Sequence, residues 1–150
     1  MAAQLGRPPR GTFTAAHRCG CGLPDVIATA PRLADGSPFP TLYYLTCPRA
    51  NAAVSRLEAS GMMARLTATL AADPDLAGRY AVAHEDYLRR RDALGVLPTR
   101  ESAGGMPTRV KCLHALVAHS LAVGPGVNPI GDLALGELPG WSVPGRCVRP

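Results

Sequence analysis

Five cysteines and four histidines are the residues of this 150-residue chain best suited to chemistry. Seven of them fall in three places. His17, Cys19 and Cys21 stand together near the start, Cys47 stands alone in Thr46-Cys47-Pro48, and Cys112, His114 and His119 lie close to one another. The thiols are odd in number, and no apolar signal-like stretch follows Arg7, Arg10 and Arg18, so free thiols or metal ligands are expected instead of a disulfide framework. Neither a Cys-x-x-Cys knuckle nor a His-Glu-x-x-His helix occurs, so the donors of a metal site must come from chain-distant segments.

Geometry selects among those donors. Cys19 precedes and Cys47 follows two strand-like segments, Asp25 to Thr29 and Thr41 to Thr46. Antiparallel pairing of these strands returns the chain to its start and brings the two thiols together. Pro107 to Val123 reads as one helix, on which Cys112 and His119 share a face but lie about 10 Å apart along the axis, while Cys112 and His114 point in nearly opposite directions. The expected ligands are therefore Cys19, Cys47 and Cys112, with Cys21, His114 or His119 as a fourth. A closed set of four suits zinc, and three thiolates with an open position suit an iron–sulfur cluster. The competing reading buries each cysteine as a small hydrophobe. Cys147 is read as incidental and His84 as structural.

Two more local readings concern charge. Cys47-Pro48-Arg49 sits where a strand hands over to a helix, and the helix N-terminus with Arg49 would favour a Cys47 thiolate, which makes a thiol-dependent enzyme an alternative function. Gly104-Gly105 ahead of a helix start, with Arg109 and Lys111 in its first turns, could receive an anion, as could Arg49. The net charge of +5 is spread along the chain. Its densest run, Arg89 to Arg91, reads as a solvated helix face balanced by Glu85 and Asp86, so nucleic acid is not indicated.

The elements that must position these groups read as an α+β domain: a short antiparallel β-hairpin packed against four or so α-helices. Residues 1–16 read as a flexible N-terminal arm, 17–124 as the core, and 125–150 as a Gly/Pro-rich segment packed on it. The hairpin turn draws on Asp35-Gly36. Helical stripes run from Arg49 to Ser60 and from Met62 to Ala71, and Asp73-Pro74 opens a helix that Gly95 stops. No apolar run approaches the roughly 20 residues of a membrane span, so a cytoplasmic protein without membrane insertion is expected.

Arg18-Cys19-Gly20-Cys21-Gly22-Leu23-Pro24, Pro38-Phe39-Pro40-Thr41-Leu42-Tyr43-Tyr44-Leu45-Thr46-Cys47-Pro48, Ser55-Arg56-Leu57-Glu58 and Val110-Lys111-Cys112-Leu113-His114-Ala115 together resemble the bacterial, largely actinobacterial family known as domain of unknown function 501. The resemblance covers about two thirds of the chain. It implies no activity, but it implies that cysteines at the places of Cys19, Cys47 and Cys112 and histidines at those of His114 and His119 recur, which favours a shared site. Relatives are encoded near a septum-formation initiator and an exopolyphosphatase, so the resemblance also implies a non-enzymatic adaptor, with a protein partner in cell division or polyphosphate metabolism, as an alternative.

Overall fold

β-branched and apolar residues in Pro24–Thr29 form a strand (β2) that is buried along most of its length. The computed structural model, which describes residues 1–148, pairs β2 on both sides. Phe13–Arg18 (β1) and Tyr43–Leu45 (β3) flank it in an antiparallel sheet of order β1-β2-β3. The expected hairpin is thus present as β2–β3, with Val26 opposite Leu45 and Ala28 opposite Tyr43. The third strand is an addition. Phe13, Thr14 and Ala15, expected in a flexible arm, pair with β2, and a short helix, Ala2–Leu5 (α1), precedes them. The register of β1 slips between Ala15 and His17, so the strand bends as it approaches the turn that carries Cys19 and Cys21.

Five helices follow: Pro48–Ala59 (α2), Met62–Ala72 (α3), Pro74–Asp92 (α4), Leu113–Val123 (α5) and Pro129–Glu137 (α6). Asp73 caps α4 as its sequence suggests, its carboxylate accepting from the amides of Asp75 and Leu76 at 3.1 and 3.0 Å. Proline opens α2, α4 and α6, where its missing N–H has no intrahelical partner to lose. The helix expected from Pro107 starts instead at Leu113, after a non-helical stretch, and Cys112 is its N-cap in extended conformation.

The core lies between the sheet and α5, which is buried on several sides through Leu113, Leu116, Val117, Ala118 and His119. Tyr43 of β3 stacks on the His119 ring, and Tyr87 of α4 meets both rings edge-on. Each fully buried side chain of this size contributes about 1.5–3 kcal/mol by leaving water. The α5–α6 crossing needs Gly131, because a Cβ there would overlap the Leu116 carbonyl. Arg91, expected on a solvated face, is fully buried instead. Its guanidinium donates to the carbonyls of Pro40, Glu101 and Thr99 at 3.1, 2.7 and 3.0 Å, tying three loop positions to α4. Among the described residues no helix is long and apolar enough to cross a membrane.

Candidate functional site

The β1–β2 turn is closed by Cys19 N donating to the Leu23 carbonyl (3.0 Å) and Gly22 N to the Cys19 carbonyl (2.8 Å). This tight loop holds Cys19 and Cys21 side by side, their sulfurs 3.3 Å apart, with the Cys21 amide donating to the Cys19 sulfur at 3.4 Å. Cys47 ends the returning strand segment and N-caps α2, fully buried. The fourth member is Cys147, whose sulfur lies 3.5 Å from that of Cys21. Cys47 is near enough to contribute to the raised pKa of Cys147. Four of the five cysteines, from three distant stretches of chain, thus gather where both ends of the hairpin meet, and all of them carry free thiols.

Cys147 reaches this place because its segment is pinned. Arg49 of α2 donates to the carbonyls of Gly145 and Arg146 at 3.2 and 2.8 Å. Gly20 N donates to Ser142 Oγ at 2.9 Å, and Gln4 of α1 bridges the Pro24 carbonyl (2.7 Å) and the Cys147 sulfur (3.9 Å). Arg49 is therefore engaged in holding the chain and is not the free anion-binding cation its sequence suggests.

Cys19, Cys21 and Cys147 are electrostatically unequal. Hydrogen bonding from the Leu23 amide, and then from Cys19, brings Cys21 down to about 7, so it is the first to ionise near neutral pH. Burial raises Cys19, and burial with the neighbouring Cys21 pushes Cys147 up to about 12. A divalent cation would reverse these last two shifts by supplying the missing positive charge.

Cys112 is not part of this cluster. The expected convergence of Cys19, Cys47 and Cys112 is corrected in its third member, since Cys112 sits at the N-terminus of α5 with His114 and with Glu58 from the end of α2. One donor atom from each of these three lies within 4.8 Å of the others, a spacing compatible with an ion. Cys112 and His114 were expected to diverge, but that holds only inside a helix. With Cys112 at φ −151° and ψ 110°, the thiol turns back toward the imidazole. Glu58 accepts from the Leu113 amide at 2.8 Å and contacts His114 Nδ1 at 3.1 Å, while His114 Nε2 lies 3.3 Å from Ser55 Oγ. Hydrogen bonding with His114, reinforced by the Ala115 amide, lowers the Cys112 thiol, and Cys112 together with Glu58 lifts His114 to about 9.

His119 is likewise removed from the ligand candidates. Fully buried, it accepts at Nδ1 from Asn128 Nδ2 (3.1 Å), which leaves Nε2–H to donate to Asp86 (3.0 Å). Burial holds it neutral in spite of the carboxylate. His84 is structural as expected, buried with Nδ1 2.7 Å from Ser102 Oγ, and His17 pairs with the buried Asp25 at 2.7 Å. Arg109 and Lys111 precede α5 and do not occupy its first turns, and with Gly104 and Gly105 they line a separate groove. Cys47, the nucleophile suggested by its Pro-Arg neighbours, has no exposed surface. What sequence reasoning missed is Cys147 and Glu58. Arg49 and Cys147 lie 98 positions apart and share no motif, while Ser55-Arg56-Leu57-Glu58 offered a carboxylate that nothing local ties to Cys112.

Comparison with other proteins adds kinship without chemistry. No curated protein and no solved structure matches the chain. A family model described as "Protein of unknown function (DUF501)" matches residues 15–136, a span that includes Cys19, Cys21, Cys47, Glu58, Cys112 and His114 but stops short of Cys147. Covering well over half of the sequence, that match makes the chain a member of the DUF501 family.

Proposed function

We propose that this is a zinc protein in which Cys19, Cys21, Cys47 and Cys147 hold one ion that locks both termini of the fold onto the hairpin. The observation that carries the reading is the sulfur spacing: contacts of 3.3 and 3.5 Å centred on Cys21. Tetrahedral zinc with sulfur at about 2.3 Å separates its ligands by about 3.8 Å. An ion would therefore open these two contacts by a few tenths of an ångström and draw the outer sulfurs inward. Among the described residues the donor group lying wholly within 4.8 Å is Glu58, Cys112 and His114, so one ion at the thiol cluster requires Cys19, Cys47 and Cys147 to close in around it. Four thiolates leave no open position, so the ion braces the fold and takes no part in chemistry. Amide donation to the Cys19 and Cys21 sulfurs is the outer support that thiolate ligands require.

Protein isolated without chelators should contain one zinc per chain, and removing the zinc should release four titratable thiols and loosen the 140–148 segment. A metal content near zero, or iron with visible sulfur-to-iron absorption, would overturn the reading.

A further inference from the structure

A second centre lies away from these thiols, where α5 begins. Cys112 and His114 line a groove of about 370 Å³ together with Tyr43, Tyr44, Leu45 and Gly104. Gly104 must lack a side chain there. At φ +67° a Cβ would fall 2.6 Å from the Leu116 side chain and 3.1 Å from the Cys112 carbonyl, and its own carbonyl accepts from Lys111 and Cys112. The lining is largely apolar apart from the thiol, the imidazole and the tyrosines. Cys112 is only partly buried, so its sulfur is the reactive atom the groove presents.

We propose that Cys112 is a nucleophile and His114 its acid–base partner, in an acyl-transfer site for a small apolar ester or thioester, with Glu58 as the positioning residue. Three arrangements support this beyond the presence of a cysteine. The thiol occupies the N-cap of an eleven-residue helix, whose dipole favours the thiolate. Glu58 of another helix holds His114 at Nδ1, the place of the third group of a triad, while Nε2 rests on Ser55 Oγ and must exchange that hydroxyl for the reacting group to move a proton. Glu58 is held in turn by the Leu113 amide, so the orienting carboxylate is itself immobile. The sulfur and imidazole donor atoms lie within 4.8 Å of each other, a separation that tightens in many thiol sites when substrate binds.

The step balances with water as co-reactant. The Cys112 thiolate attacks the carbonyl carbon, and the carbon–oxygen or carbon–sulfur bond to the leaving group breaks. Its electron pair leaves with that group, which takes the proton from the His114 imidazolium. Neutral His114 then takes a proton from water as the hydroxide oxygen attacks the acyl-Cys112 thioester, and the thiolate departs beside a re-formed imidazolium. The net result is an acid plus an alcohol or thiol. In the first turn of α5 the Leu113 amide is taken by Glu58 and the Ala115 amide by the Cys112 sulfur, so the His114 amide is the donor left for the developing oxyanion.

The test uses the zinc-loaded full chain. Iodoacetamide labelling of Cys112, read by peptide mass, should proceed at a nearly constant rate from pH 6 to pH 8. An ordinary thiol slows about tenfold per pH unit below its pKa. In His114→Gln the rate at pH 6 should fall at least tenfold, and Glu58→Gln, which keeps an acceptor for the Leu113 amide, should give an intermediate loss. p-Nitrophenyl butyrate should release a burst of one nitrophenolate per chain and leave a butyryl group on Cys112, absent in Cys112→Ser. A labelling rate that tracks simple thiol ionisation, or absence of the butyryl adduct, overturns the proposal. So does a second equivalent of bound zinc that blocks labelling of Cys112, which would make Glu58, Cys112 and His114 a metal site instead. None of these outcomes depends on the four-thiol cluster, whose occupancy is read separately from total zinc.

Discussion

Replacing Arg49 by methionine keeps the aliphatic stem on α2 and removes the guanidinium that donates to the Gly145 and Arg146 carbonyls at 3.2 and 2.8 Å. Hydrogen bonds from charged groups contribute about 1.5–3 kcal/mol each when desolvated. These two are solvent-exposed, and exposed charged contacts are closer to about 0.5–1 kcal/mol apiece, so the clamp as a whole holds the segment by about 1–2 kcal/mol. If the four thiols hold zinc as proposed, the segment that carries Cys147 docks when the ion binds, so the loss should appear as a zinc affinity weakened by about 5–30-fold. The Gly20–Ser142 contact remains and keeps the segment from being lost altogether. Competition against a chromophoric chelator measures the effect, with Cys147→Ser marking the larger loss of a ligand itself. Arg49→Met binding zinc within twofold of the parent, while Cys147→Ser binds far more weakly, would refute the claim that this guanidinium places the fourth thiol.

Other perturbations test how the fold positions its parts. Tyr87→Phe leaves the buried Leu42 amide without its 2.6 Å acceptor and should cost about 2 kcal/mol, seen as a Tm lowered by about 4–8 °C. An unchanged Tm would contradict the assigned bond. Arg91→Lys should destabilise by about 3 kcal/mol in urea melts, because one ammonium cannot span the Pro40, Thr99 and Glu101 carbonyls as the planar guanidinium does. Full rescue by lysine would show the fork to be unnecessary. His119, pressed downward by burial, is protonated more readily in the unfolded chain than in the folded one. Its share of stability is whole above the unfolded pKa of about 6.5 and declines as pH falls below that value, by up to about 1.4 kcal/mol per pH unit. His84, lowered by burial, acts in the same direction, and so does Asp86 at lower pH. Burial opposes the Asp86 shift, but Arg90 and His119 outweigh it, and the resulting stability is lost as pH falls through its lowered folded pKa. His114, lifted to about 9, gains stability as pH falls toward 6.5 and offsets part of this loss between pH 7 and 6. Urea midpoints should therefore drop mainly between pH 6 and 5, and drop less steeply in His119→Gln; equal slopes would contradict the neutral buried imidazole.

Local signals carried most of the architecture. Asp73-Pro74 announces α4 because an acceptor at the N-cap and a proline behind it act within one turn, and β2 and β3 announce themselves through their β-branched and aromatic residues. β1 was not legible: Phe13–Arg18 is an edge strand with most side chains partly or fully exposed, so no apolar alternation marks it. α4 ends at Asp92, short of Gly95, and Leu94 beyond it is largely exposed. Arg91 misled because a run of three arginines reads as a surface, and only tertiary structure supplies the three carbonyls that bury one of them. In the site, the meeting of Cys19 with Cys47 follows from antiparallel pairing alone and could be read. The place of Cys112 could not, since it depends on the helix starting one residue after it. Nor could that of Cys147, which is delivered by Arg49, Ser142 and Gln4 through contacts between segments far apart in the chain.

Zinc K-edge absorption on protein isolated without chelators tests the central claim most directly. One ion per chain with four sulfur neighbours at about 2.3 Å is the expected result, reduced to three sulfurs in Cys147→Ser. Nitrogen or oxygen neighbours in the parent protein, or zinc bound with the same four sulfurs after Cys147 is replaced, would contradict it.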